Sequence, residues 1–255
     1  MRAERGIGLK AILYISHGTR SAKGTEEVNV FIQRVKRRID VPIQEISFLE
    51  LNEPLIEEGF KRCVAKGATE ITVVPLFLLA AGHIKQDIPR TLWSLQARYP
   101  AIQVNVMEPF GVQGGILDAV AELIRKTLVN VFPQDRLLIV GRGSSDSGIQ
   151  SDFAEIAGGI RDRLGIEHVS VSFLAAAEPR LREGLEIISE KADGRVIVVP
   201  YLLFSGLLIA EVNQEVLKRQ KQGQQIHFTA PLSGQQIIED IVIERATSRE
   251  VVAEF

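Results

Sequence analysis

Short, almost wholly apolar runs alternate along this chain with longer stretches in which charged and apolar residues recur at helical spacing. Ala11–Ser16, Ile43–Leu49, Ile71–Leu76 and Ile102–Met107 read as strands. Ala22–Ile39, Pro54–Lys66, Ile84–Arg98 and Gly114–Val131 read as helices between and after them. Pro54 suits the first turn of a helix, and Gly67 suits the position just past the end of one. The strands show no polar face, as expected of a parallel sheet covered by helices on both sides. The alternation predicts α/β architecture.

The pattern then starts again. Leu137–Gly141, Val169–Leu174, Val196–Pro200 and Ile226–Thr229 read as strands, and Ile149–Leu164, Arg180–Lys191, Ile209–Lys221 and Gln235–Ser248 as helices. The letters repeat too. Gly18 returns as Gly143, Ser47-Phe48-Leu49 as Ser172-Phe173-Leu174, Glu53-Pro54 as Glu178-Pro179, Glu58-Gly59 as Glu183-Gly184, and Val74-Pro75 as Val199-Pro200, each pair 125 residues apart. Seven of the thirteen positions from Ser47 to Gly59 are identical at that offset without a gap. Letters and elements coincide, so the chain reads as a tandem duplication. The boundary falls near Phe132-Pro133-Gln134, giving one lobe over residues 1–132 and a second over 133–255.

A duplication carries its own control. Packing residues should persist in both halves, whereas chemistry can be kept in one. Three polar residues at or beyond the carboxyl ends of predicted strands occur only in the first half. His17, in Ile-Ser-His-Gly-Thr-Arg, becomes Arg142; Glu50, in Ser-Phe-Leu-Glu, becomes Ala175; His83, in Ala-Ala-Gly-His-Ile-Lys, becomes Leu208, or Leu207 if the glycines are aligned. That edge of an open α/β sheet is where ligands bind. Neighbouring strands lie about 4.8 Å apart, which would bring the three ends within roughly 5–10 Å of one another. Two imidazoles and a carboxylate suit a first-row divalent metal, and the same trio can move protons. Taken singly, each is an ordinary turn histidine or loop carboxylate; their joint loss from the second half favours a shared role. His168 and His227 have no such company and read as structural, Cys63 as a small buried hydrophobe, and Trp93 as helix packing.

Composition narrows the classes. The 255 residues are 45% hydrophobic and 24% charged, as in ordinary globular proteins. Thirty Lys+Arg against 32 Asp+Glu give a net charge of −2, so no global basic field recommends nucleic acid. One cysteine excludes an internal disulfide and an all-cysteine metal cluster built from this chain. The longest apolar run, Val73–Ala81, contains Pro75 and stops at Gly82, well short of a membrane span. No apolar leader follows the charged start, and a soluble cytoplasmic protein is expected.

The segments Ala-Ile-Leu-Tyr-Ile-Ser-His-Gly-Thr-Arg, Glu-Ile-Ser-Phe-Leu-Glu-Leu-Asn-Glu-Pro and Val-Val-Pro-Leu-Phe-Leu-Leu-Ala-Ala-Gly-His-Ile-Lys-Gln-Asp-Ile-Pro resemble the class II chelatases that act on sirohydrochlorin. The resemblance is strong over residues 11–90; the second half follows by repeat logic. It implies two chelatase-like lobes, each a parallel sheet flanked by helices, with an active site in the crevice between them. It implies an enzyme of sirohaem synthesis inserting Fe2+ into sirohydrochlorin. The cobalt-inserting members, and a non-catalytic tetrapyrrole or metal carrier, are the alternatives. The family's active-site histidines match His17 and His83, and its acidic residue matches Glu50. Cobalt-inserting relatives often carry a histidine-rich tract or cysteine motif near the C-terminus, whereas Ala230–Phe255 holds neither residue type, which favours iron.

On that reading His17 and His83 act jointly as metal ligands and proton acceptors, being mostly neutral near pH 7 with an ordinary pKa of about 6.5. Glu50 would hold the metal's charge, orient a histidine or relay a proton. The polyanionic tetrapyrrole calls for a locally basic rim, for which Arg20, Lys85, Arg90 and Arg142 are the candidates. No permanently bound cofactor is expected: the metal is a substrate, and the partners are sirohydrochlorin and a divalent ion, with no nucleic acid and no membrane. With both halves in one chain, a monomer with internal pseudo-twofold symmetry is expected. A histidine phosphatase is the contrasting reading of Ser16-His17-Gly18-Thr19, but that chemistry needs an arginine where Ser16 stands.

Overall fold

The structure, a computed structural model, describes residues 8–128, 130–190, 194–248 and 253–254, with the backbone alone for His83, Ala253 and Glu254. The first repeat runs β1 (Lys10–Ser16), α1 (Ala22–Lys36), β2 (Ile43–Phe48), α2 (Ile56–Ala65), β3 (Glu70–Pro75), α3 (Gly82–Arg98), β4 (Gln103–Val106) and α4 (Gly114–Thr127). The second runs β5 (Arg136–Gly141), α5 (Gly148–Leu164), β6 (His168–Phe173), α6 (Leu181–Glu190), β7 (Val196–Pro200), α7 (Leu207–Lys221), β8 (Ile226–Phe228) and α8 (Gln236–Thr247). A short β9 (Ala253–Glu254), which the hydrophobic pattern does not reveal, follows.

Each repeat builds its own sheet. The first is ordered β2-β1-β3-β4-β9, with β1 to β4 parallel and β9 antiparallel on the edge. The second is ordered β6-β5-β7-β8 and is parallel throughout. The central strand β1 is buried from Ala11 to Ser16, as its unbroken apolar run requires of a strand covered on both faces.

The 125-residue offset is structural as well as literal. β2 and α2 start and end where β6 and α6 do once 125 is added, and Gly82 and Leu207 begin equivalent helices. The ungapped alignment therefore holds through His83, whose counterpart is Leu208. Beyond it the register slips by a few residues, since β8 and α8 begin earlier than β4 and α4 would place them.

The repeated letters are packing letters. A Cβ on Gly59 would overlap Ser47 Oγ, and one on Gly184 would press on Ser172, so glycine lets α2 and α6 lie close on their strands. Gly18 and Gly143 take φ of +96° and +87°, and a Cβ on either would overlap the carbonyl oxygen of Glu50 or Ala175. Pro54 departs from the expectation of a helical first turn. Its carbonyl accepts the Phe48 N–H at 2.9 Å, closing the return after β2, and α2 begins only at Ile56; Pro179 and Phe173 do the same. Trp93 also departs: it is 59% exposed. The buried stripe of α3 is Ile88, Leu92 and Leu95, and the residue after Leu92 points about 100° away from it.

Two compact units emerge, and they are not the two repeats. One comprises the chain through Phe110 together with the segment from Glu239; the other runs from Gly111 to Ile238. The last helix of each repeat thus belongs mostly to the other repeat's unit. In the first unit Glu239 accepts from Arg34 at 2.6 Å and Asp240 from Arg38 at 2.5 Å, tying α8 to α1. In the second, Arg163 reaches Asp118 at 2.5 Å and the Gly114 carbonyl at 3.3 Å, tying α4 to α5.

Candidate active site

Strand order marks one candidate ligand position in each sheet, and the predicted ligands fall at that of the first. From β1 the chain crosses to β2 on one side, and from β3 it crosses to β4 on the other, so the direction of winding reverses between β1 and β3. The crevice outside the carboxyl ends of two such strands is the expected ligand position. His17 is the residue after β1, and His83 is the second residue of α3, the helix that follows β3. The His83 side chain lies outside the described residues.

The backbone delivers Glu50 to His17. The β1–β2 ladder continues past both strands: Leu49 N–H donates to the Ser16 carbonyl at 2.8 Å, and Glu50 N–H to the His17 carbonyl at 3.1 Å. Glu50 Oε1 then lies 3.5 Å from His17 Nδ1. The imidazole is 29% exposed and the carboxylate 56%, so the pair meets solvent at the sheet edge. A carboxylate beside Nδ1 steers the ring's orientation and favours the tautomer with its proton on Nδ1 and its lone pair on Nε2. Phe77, buried in the segment after β3, meets the imidazole edge-on with ring centroids 6.3 Å apart and an interplanar angle of 63°.

Two of the three sequence-derived ligands are therefore in contact, and the third, His83, belongs to α3, the helix that follows β3. Among the described residues no group of three or more His, Cys, Asp or Glu side chains gathers as a metal cluster. Arg20 is exposed three residues after His17, and Lys85 and Arg90 are exposed on α3. Arg142 is exposed in the second unit, immediately after β5, at the position equivalent to His17. Cys63 is fully buried, and burial pushes its thiol up to about 12, so it takes no part in chemistry near pH 7. His168 is exposed at the start of β6, and His227 lies within β8.

Asn52 joins the site without having been singled out in the sequence. Its Oδ1 accepts the Thr19 N–H at 2.6 Å, its Nδ2 donates to Thr25 Oγ1 at 3.1 Å, and its own N–H donates to the Glu50 carbonyl at 2.8 Å. The signal was present, since Asn52 becomes Ala177 at the 125 offset.

The CbiX family model matches residues 11–127 and again 136–249. The chain is 43% identical over 217 residues to a sirohydrochlorin ferrochelatase of Priestia megaterium, covering 85% of this chain and 82% of that one. It is 30% identical over 227 residues to a sirohydrochlorin cobaltochelatase of the same organism, covering 88% and 74%. Its fold is similar to that of SirB from Bacillus subtilis with Fe3+, at a TM-score of 0.81 and 35% identity, covering 93% of this chain and 96% of that one.

Proposed function

The chain belongs to the CbiX family, and from that membership we propose that it is a sirohydrochlorin ferrochelatase, inserting Fe2+ into sirohydrochlorin to make sirohaem. Iron is favoured over cobalt because similarity to the iron-inserting relative is higher than to the cobalt-inserting one, 43% against 30%. The observation that carries the chemical reading is the His17–Glu50 contact beside the point where the winding of the first sheet reverses.

Insertion exchanges a metal ion's temporary ligands for four ring nitrogens and releases two pyrrolic protons. The temporary ligands must hold the ion and then let it go. His17, backed by Glu50, supplies an imidazole whose Nε2 binds a first-row ion and, once the ion has moved on, accepts a proton. His83 supplies the second imidazole. Glu50 offsets the ion's charge and takes up the positive charge of a protonated His17. The repeat over residues 1–132 carries this chemistry, and the repeat over 133–255 has lost it. Arg20, Lys85, Arg90 and Arg142 are the side chains proposed to bind the substrate's carboxylates.

The metal is a substrate and no resident cofactor takes part. No helix among the described residues is long and apolar enough to cross a membrane; the working protein is proposed to be a cytoplasmic monomer. Anaerobic incubation of the protein with sirohydrochlorin and, in turn, Fe2+, Co2+ and Ni2+, followed by absorbance, tests the assignment. Sirohaem formation with the highest kcat/KM for Fe2+ is expected. Absence of catalysed insertion with every ion would overturn it, and a strong preference for Co2+ would move the protein to the cobalt branch.

A further inference from the structure

We propose that Asn52 is a positioning residue, pinning the His17 loop and the Glu50 loop to α1 so that the two side chains stay in register for metal transfer. The proposal rests on the reading of His17 and Glu50 as the metal-handling pair. One half-buried residue joins three segments: its carboxamide bonds Thr19, two residues after His17, and Thr25, in the first turns of α1, and its backbone N–H donates to the Glu50 carbonyl. Only the oxygen of the amide can face the Thr19 N–H, so the amino group must face Thr25. The fastening continues into the helix. Thr19 Oγ1 accepts from Ser21 N–H at 3.1 Å, and Ser21 Oγ caps α1 by accepting from Gly24 N–H at 3.2 Å.

The second repeat separates folding from fastening. There the residue is Ala177, yet the loop keeps its path. Gly143 and Ala176 hold φ of +87° and +52°, against +96° and +67° at Gly18 and Leu51, and Ala175 N–H still reaches the Arg142 carbonyl, at 2.7 Å. The backbone therefore adopts this turn without a carboxamide. What Asn52 adds is attachment of the turn to α1. It is absent where His17 and Glu50 are absent, as expected of a group that serves them.

The test uses the full chain. Asn52→Ala, which installs the residue of the second repeat, is compared with Asn52→Asp, His17→Ala and Glu50→Gln. Three quantities are read: the thermal midpoint, Co2+ affinity without tetrapyrrole, and kcat and KM for insertion. Asn52→Ala is expected to keep the wild-type midpoint and the KM for sirohydrochlorin while losing about 10–100-fold in Co2+ affinity or kcat, as for groups that orient a metal ligand. Asn52→Asp should restore most of that loss, because a carboxylate still accepts from the Thr19 N–H, and the Thr25 hydroxyl, which donates to the Ser21 carbonyl at 3.2 Å, can turn to donate to it. Thr25→Val removes one arm and should lose less than Asn52→Ala; it also supplies the reading if Asn52→Ala fails to fold. Wild-type affinity and kcat in Asn52→Ala, with His17→Ala and Glu50→Gln inactive, would overturn this proposal alone. So would a parallel fall in midpoint and activity that Asn52→Asp does not restore. Full activity in His17→Ala and Glu50→Gln would overturn the site reading and this proposal with it.

Discussion

His17 carries the most consequences at the scale of single residues. It follows a buried central strand but is itself at a loop, between a carboxylate and the edge of a phenyl ring. His17→Ala should abolish most insertion and change stability by about 1 kcal/mol or less, as at surface sites; insertion kinetics with a denaturant melt checks both. A different residue governs acid stability. Asp135 is almost fully buried and accepts from Arg195 at 2.7 and 3.0 Å and from the Phe132 N–H at 2.8 Å. Burial alone would raise its pKa, but the Arg195 guanidinium and the Phe132 amide outweigh that and hold it below the usual carboxylate value. A depressed folded pKa stabilises the protein above the unfolded value, near 4, and the benefit disappears as pH falls through the folded one. Asp135→Asn should therefore destabilise by about 1.5–3 kcal/mol at pH 7. The gap from wild type should close in melts run progressively below pH 4. A gap independent of pH would remove the ion pair from the account.

Helix–strand spacing decides the outcome at the scale of elements. Propensity alone says that alanine in place of a helical glycine gains about 1 kcal/mol. The position of Gly59 against Ser47 says the opposite, since a methyl there must displace a fully buried serine. Gly59→Ala should cost about 1–3 kcal/mol by overpacking, and Ser47→Ala in the same chain should recover part of it; thermal melts of the two variants decide. This level also shows what was legible in the letters. Strands β1, β5 and β7 could be read because they are buried almost end to end, leaving nearly unbroken apolar runs, whereas β2 and β6 are only partly buried and carry polar residues such as Gln44, Glu45 and Ser170, so the letters repeated at the 125 offset identify them. His17, Glu50 and His83 could be read because the second repeat lacks them. Asn52 carried the same signal but is a common loop residue, so only its three hydrogen bonds distinguish it. The onset of α2 was misplaced because Pro54 is used for a backbone bridge to Phe48, which depends on a partner six residues back. Trp93 reads as helix packing because it is a large aromatic residue on an amphipathic helix, but it lies off the buried stripe and is exposed. The membership of α4 and α8 could not be read at all, since an amphipathic face does not say which sheet it covers.

At the scale of the whole molecule, the proposal gives the metal chemistry to one repeat and leaves the other free for a different task. Arg142 stands where His17 would be, and the proposal gives it to substrate carboxylates. Losing one charge-assisted hydrogen bond costs about 1.5–3 kcal/mol, roughly ten- to hundredfold in affinity. Arg142→Ala should raise KM for sirohydrochlorin and leave kcat unchanged, because the contact is the same in ground and transition states. The effect should shrink in high salt, as an exposed charge requires. An unchanged KM at low salt would return Arg142 to the solvated surface. The central claim, that this chain catalyses metal insertion through His17, is tested most directly by one anaerobic steady-state measurement of Fe2+ insertion, with sirohydrochlorin in large excess over protein, on the wild type and His17→Ala. The account predicts many equivalents of sirohaem per wild-type chain and almost none from the variant. Product that stops near one equivalent, as for a carrier, or equal turnover by the two proteins, would contradict it.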